Sequence, residues 1–161
     1  MFSSVNVHNC LQELDIPHEI FKLSGQAGSL ETAAAALGLE LHKLARVEVF
    51  RADGDPVLVI IPGDRRVDLS KLKIVIGCEE VTPVGQEEIA SLTGYVGNVQ
   101  PPVGLKTEMP AFIDYYTLRE DVVYTGSGES TAILKIRSYD LVRATGGETV
   151  DVVAPPEQGP D

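Results

Sequence analysis

Apolar residues first recur at helical spacing between Ser4 and Leu14, where Val7, Cys10, Leu11 and Leu14 share one face. Pro17 stops that helix, because the residue before a proline is pushed out of the α region; residues 18–23 then read as a short strand. Ser29 is a good N-cap for a helix over Leu30–Leu37, with Glu31 in its first turn and Gly38 just past its end. From Ala45 the period changes to two: Ala45, Val47 and Val49 fall on one face, and Arg46, Glu48 and Phe50 on the other. Asp53-Gly54 predicts a tight hairpin turn. The unbroken apolar run 57–61 predicts a strand buried on both faces, so this hairpin is expected at the middle of the sheet.

Asp68 can cap a helix over Leu69–Ile76, closed by Gly77. A short strand is expected over residues 79–84 and a helix over 86–92. Strands follow at Ala111–Asp114, 122–125 and 132–136, with Gly126-Ser127-Gly128 turning between the last two, and a short helix at 138–142. Beyond Gly146 the proline, glycine and acidic content predicts disorder. The expected organisation is one domain over residues 1–145 and an acidic disordered tail over 146–161. Helices and strands mix without strict alternation, and the hairpins imply antiparallel pairing. The fold class is mixed α/β with a curved central sheet.

Composition narrows the functions available. The 161 residues carry a net charge of −11, which argues against broad wrapping of nucleic acid but leaves room for gripping one end of an RNA. Arg65, Arg66, Lys71 and Lys73 gather close together in the chain. No apolar run approaches the ~18 residues that span a membrane, and residues 1–6 lack the pattern of a signal peptide, so the cytoplasm is expected. Cys10, Cys78 and the three histidines show no zinc spacing, and no metal or other cofactor is expected. The motifs GxSxG, HExxH and the P-loop are absent.

Two features carry chemistry. Residues 93–105 hold Gly94, Gly97 and Gly104 together with Pro101 and Pro102, a stiff loop that can present bare backbone donors to a small polar ligand or an oxyanion. Arg46, on the less apolar face of a central strand, reads either as half of an ion pair with a neighbour such as Glu48's cross-strand partner, or as a guanidinium aimed at phosphate or carboxylate.

Pro62-Gly63-Asp64-Arg65-Arg66-Val67-Asp68-Leu69-Ser70-Lys71-Leu72 resembles the PGD-x-R-V-D-L-x-K-L segment of the YbaK/prolyl-tRNA-synthetase-associated domain family. Thr93-Gly94-Tyr95 with Gly97, Pro101 and Gly104 resembles that family's TGY-x-x-G-x-x-x-P-x-G signature. Asp114 and Gly128 fall where the family has its aspartate and late glycine, and the order is collinear from about Val5 to Val142. The resemblance implies a strongly bent mixed sheet surrounded by helices, and hydrolysis of the ester in mischarged tRNA such as Cys- or Ala-tRNA for proline. It also implies that Gly94, Tyr95, Gly97, Asn98, Pro101, Gly104, Asp114 and Gly128 hold the aminoacyl end, with Gly97 stabilising the oxyanion. Arg65, Arg66 and Lys71 are then expected to meet tRNA phosphates, with the acceptor end of aminoacyl-tRNA, and a prolyl-tRNA synthetase, as partners.

The family's characteristic lysine falls on Arg46, which keeps the charge but cannot act as a base. Two functions therefore stand at this point: a trans-editing deacylase using Arg46 and Gly97, or a non-catalytic module binding aminoacyl-tRNA, a nucleotide or a synthetase through the same pocket.

Overall fold

The computed structural model describes residues 2–156. Helix α1 (Ser4–Glu13) starts from Ser3, whose hydroxyl accepts from a backbone N–H of the first turn while the Asn6 side chain returns to the Ser3 amide. Strand β1 (Glu19–Lys22) follows, then helix α2 (Leu30–Leu37), capped by Ser29 and closed by Gly38 at φ 68°. The central hairpin joins β2 (Ala45–Ala52) to β3 (Asp55–Pro62). Its turn residues Asp53 and Gly54 have φ 49° and 91°, as a two-residue hairpin of this hand requires. Helix α3 (Leu69–Ile76) begins on the Asp68 carboxylate, which accepts from the Ser70 and Lys71 amides. Strand β4 (Val81–Pro83), helix α4 (Gln86–Thr93), strand β5 (Ala111–Asp114) and a short 3₁₀ helix (Tyr115–Arg119) come next. Strands β6 (Val122–Gly126) and β7 (Ala132–Arg137), helix α5 (Ser138–Thr145) and strand β8 (Glu148–Val150) complete the order.

The strands form two sheets, β1-β7-β6 and β4-β2-β3-β5-β8. The central hairpin does lie inside the larger sheet. The expected bent sheet is these two sheets meeting along β2 and β6, where Leu44 bridges Tyr124 and the Thr125 hydroxyl donates to the Ala45 carbonyl at 2.9 Å. Pairing is antiparallel through β4-β2-β3 but parallel for β3-β5 and β5-β8, which the hairpin pattern did not announce.

Both faces of the hairpin are covered. Ala45, Val47, Val49, Leu58 and Ile60 pack with α1 and α5, whereas Phe50, Ala52, Val57, Val59 and Ile61 pack with α3. A third cluster seats α2 on β7 through Ala33, Ala34 and Ile133, and the small alanines allow that close approach.

The expectation of a disordered tail from residue 146 fails over its described part. Glu148–Val150 pairs in parallel with Phe112, Ile113 and Asp114. Val150, Val152 and Val153 are buried in the α3 cluster. Three valines supply enough apolar area to hold a segment whose glycines, prolines and acids read as solvent-loving. Residues 157–161 of that expected tail lie outside the described residues.

Candidate functional site

At the Phe50 end of β2 the second face is sealed by α3; at the other end Arg46 and Glu48 leave the sheet beside a cavity of about 520 Å³. Its walls include Glu31 from α2, Gly63, Asp64, Arg65 and Arg66 from the loop after β3, and Pro155 and Pro156. Arg46 Nη2 donates to Glu31 Oε1 at 2.6 Å and to the Gly63 carbonyl at 2.8 Å. The ion-pair reading of Arg46 is thus correct in kind but not in partner. Glu48 faces Val59 across the hairpin, and the acid that meets Arg46 arrives from α2. Glu31 is held below the usual carboxylate range by its own backbone amide and by Arg46.

Glu48, two residues from Arg46 on the same strand face, is pushed up by burial, and Arg46 only partly opposes this. The pattern placed Glu48 on this face but did not single it out. A half-buried carboxyl beside a guanidinium can accept or hold a proton, which arginine cannot do. Gly63 has no room for a side chain, since a Cβ there would lie 2.5 Å from the Leu41 carbonyl oxygen.

The glycine–proline loop packs against the start of α2, whose first turn also brings Glu31 to the cavity, but none of its residues lines that cavity. Asn98 Nδ2 donates to the Gly28 carbonyl at 3.1 Å, and Val99 packs in the α2 cluster. Gln100, a loop residue that no motif marks, organises this loop from a buried position. Its amide nitrogen donates to the Tyr95 and Gly97 carbonyls, and its oxygen accepts from the Thr93 hydroxyl at 2.8 Å. The Gly97 carbonyl also accepts from Gln86 Nε2 at 2.8 Å. Gly97 is exposed at φ 109°, and a Cβ there would meet open space. Of the motif glycines it is the one facing solvent without a close neighbour.

The remaining motif residues are packed inward. Tyr95 is buried and donates to the Gly104 carbonyl at 2.7 Å; burial pushes its hydroxyl up to about 12. A Cβ on Gly94 would strike the Phe2 ring, one on Gly104 would crowd Tyr95 and the Asn6 carbonyl, and one on Gly128 would come within 2.8 Å of the Tyr95 ring. Pro101 is buried, and its nitrogen lies 2.9 Å from where a Gly126 Cβ would sit. Gly94, Tyr95, Gly104, Pro101 and Gly128 therefore build the seat of the loop against the start of α1, and none of them lines the Arg46 cavity. Gly104 borders a separate hollow of about 560 Å³, lined also by Cys10, Glu108, Met109 and Thr145.

Asp114 is fully buried. Its carboxylate accepts from the Tyr116 amide at 2.9 Å and the Val152 amide at 2.8 Å, joining the 3₁₀ turn to the C-terminal segment. Of the basic cluster, Arg65 donates through Nε and Nη2 to the Ala154 carbonyl, and Lys71 reaches Asp151 and the Val153 carbonyl. Arg65 and Arg66 line the Arg46 cavity, whereas Lys71 borders the neighbouring hollow with Asp114 and Tyr116. Among the described residues no three metal-ligating side chains converge, and no helix is long and apolar enough to cross a membrane.

Residues 25–144 match the family model for the aminoacyl-tRNA editing domain. The chain belongs to that family. The matched region contains all of the Arg46 cavity except Pro155 and Pro156. The editing domain is also 32% identical over 128 residues to a proline–tRNA ligase of Geotalea daltonii, covering 79% of this chain but 22% of that enzyme. It is 21% identical over 151 residues to a protein of Enterococcus faecalis provisionally named a Cys-tRNA(Pro)/Cys-tRNA(Cys) deacylase, EbsC, covering 91% and 92% of the two chains. A solved structure provisionally described as a trans-editing enzyme for prolyl-tRNA synthetase superposes with TM-score 0.86 at 25% identity, over 96% of this chain and 99% of the other. The two-sheet fold with five helices is thus that of the editing domains.

Proposed function

We propose that this chain is an aminoacyl-tRNA deacylase that edits in trans, hydrolysing the ester of a mischarged tRNA such as Cys- or Ala-tRNA for proline. The observation that carries the reading is the Arg46 cavity: a half-buried guanidinium and carboxyl at the end of a strand, beneath a basic loop, inside the region matched as an editing domain. The terminal ester enters this cavity. Arg46, oriented by Glu31, polarises the carbonyl or grips the terminal phosphate. Water adds to the carbonyl carbon, the neighbouring ribose hydroxyl and Glu48 manage its proton, and the C–O bond breaks to leave a free amino acid and a ribose hydroxyl. The exposed Gly97 turn, packed at the start of the helix that brings Glu31 to the cavity, offers backbone N–H groups to the aminoacyl end beyond the cavity wall. Arg65, Arg66 and Lys71 steer the acceptor end, and the protein works in the cytoplasm, where a prolyl-tRNA synthetase supplies the error.

Arginine in place of the family lysine favours a broader or shifted substrate choice over loss of chemistry, because Glu48 stands two residues away to handle a proton. The non-catalytic reading is not favoured by the deacylase and trans-editing names of the relatives. The test is deacylation of Ala-, Cys-, Ser- and Pro-tRNA for proline, with Arg46→Lys and Arg46→Ala alongside. Hydrolysis of a mischarged species but not of Pro-tRNA, lost in Arg46→Ala, is expected. Tight binding of mischarged tRNA with no turnover by either the natural protein or Arg46→Lys would refute the proposal.

A further inference from the structure

The surface next to the cavity has a chemistry that the ester site does not use. Strand β5 runs out through Asp114 into the 3₁₀ turn, and that turn places Tyr115 and Tyr116 side by side at the surface, 58% and 44% exposed. Only four phenylalanines and five tyrosines occur in the chain, with no tryptophan, so two adjacent exposed rings are a notable share of its aromatics. The Arg65 guanidinium lies 4.9 Å from the Tyr116 ring centre and that of Arg119 lies 5.3 Å from it. Among the described residues Arg119 makes no ion pair.

Three hollows meet here. The Arg46 cavity, a second of about 500 Å³ lined by Lys71, Tyr115 and Tyr116, and a third of about 270 Å³ lined by His42, Tyr116 and Arg119 all share Arg65 as a wall. A chain entering the Arg46 cavity from the Arg65 side crosses this ledge.

We propose that the ledge of Tyr115, Tyr116, Arg65 and Arg119 is a stacking and phosphate site for a short single strand of nucleic acid. On the reading of the preceding subsection, it seats the unpaired nucleotides just before the aminoacylated end. An exposed ring offers a π face to any base, and guanidinium groups beside it meet the backbone phosphates. The acids Asp64, Glu120 and Asp151 on the same rim, with the net charge of −11, confine the contact to a few nucleotides and repel a long duplex. Tyr115 supplies the stacking face, since Tyr116 is already engaged by the two arginines. Asp114 keeps the turn in place through the Tyr116 amide.

The experiment compares two RNA hairpins, one with a four-nucleotide ACCA 3′ overhang and one blunt. The natural protein is expected to bind the overhang form about tenfold or more tightly than the blunt one, as one stacked base contributes. Tyr115→Ala is expected to erase that difference and Tyr115→Phe to keep it. Arg119→Gln is expected to weaken binding and to lower the slope of log affinity against log salt by about 0.7, the value for one phosphate contact on a single strand. Both positions are exposed, so folding is not at stake. Hydrolysis separates this proposal from the one beneath it: Tyr115→Ala should raise KM for mischarged tRNA while leaving cleavage of 3′-O-alanyl-adenosine unchanged. If no form hydrolyses any ester, the editing reading falls and the hairpin comparison still decides the ledge. Equal binding of overhang and blunt hairpins by the natural protein, or a preserved preference in Tyr115→Ala, would overturn it.

Discussion

Replacing Asp114 by alanine removes two hydrogen bonds that reach in opposite directions. The Tyr116 amide at 2.9 Å is part-buried, and water can re-solvate it once the turn loosens. The Val152 amide at 2.8 Å belongs to a residue with no exposed surface, out of reach of bulk water. A hydrogen bond to a charged acceptor contributes about 1.5–3 kcal/mol, and an orphaned buried donor forfeits the upper part of that range. Relief of the buried carboxylate's desolvation offsets some of this. The net expectation for Asp114→Ala is a loss of about 3 kcal/mol, or a melting temperature lower by roughly 6–12 °C at this chain length. Asp114→Asn keeps the shape but turns an N–H₂ toward one of the two donors, so about half that loss is expected. Urea denaturation with an unchanged m-value measures both. Hydrogen exchange should accelerate over residues 148–156 in the alanine variant, because β8 loses its anchor. A loss below about 1 kcal/mol in Asp114→Ala would refute the account. So would a KM effect on alanyl-adenosine at full stability, which would return Asp114 to the ligand-binding role implied by the family resemblance.

Other substitutions separate seat from site. Gly126→Ala drives a Cβ to 2.5 Å from the Gln100 carbonyl carbon, backbone against backbone, and should destabilise the fold by about 3 kcal/mol or more in a thermal melt. Gly97→Ala meets no neighbour and costs only the positive-φ strain of about 1–2 kcal/mol; its deacylation rate should fall by a larger factor than that loss explains, and a proportionate fall would remove the loop from catalysis. Glu48→Gln tests the raised carboxyl: a folded value above the unfolded 4.5 means that stability is lost as pH rises through that range. The glutamine variant should therefore be the more stable one at pH 7, with the advantage gone below pH 4.5, and the less active one throughout. Glu31, held low, works the other way. Glu31→Gln should cost a little stability at neutral pH and nothing in acid, and should raise KM by freeing Arg46.

Legibility in the sequence followed the range of the forces. Ser29, Asp68, Gly38 and Gly77 act within one helical turn, and each caps where its residue type foretold. Asp53-Gly54 turns as its backbone preference dictates. The failures all involve contacts that exist only once the fold has brought a segment or side chain to its place. Glu148-Thr149-Val150 has no strand signal of its own and is a strand only because Phe112–Asp114 offers it an edge. Gln100 is one polar residue in a loop until the fold buries it among the Thr93, Tyr95 and Gly97 groups it satisfies. Arg46 could be placed on a face, but its partner came from a helix fifteen residues earlier. The glycines of the motif were visible, while their purpose was not: three of them make room for Phe2, Asn6 and Tyr95, a role that appears only when α1 is laid against the loop.

The pairing of β1 with β7 and of β5 with β8 has a consequence for how the molecule is made. Glu19 must find Lys135, and Asp114 must find Val150. Neither sheet can close until β7 and β8 have left the ribosome. Local elements such as the β2–β3 hairpin can form early, but the long-range pairings carry their loop-closure entropy to the end. During synthesis the apolar run 57–61 is ready before its covers, β5 and the valines at 150–153, exist. This is the interval in which the chain is most exposed to misassociation, and a slow refolding phase abolished by deleting neither α2 nor β4, but by cutting after residue 145, would be its signature.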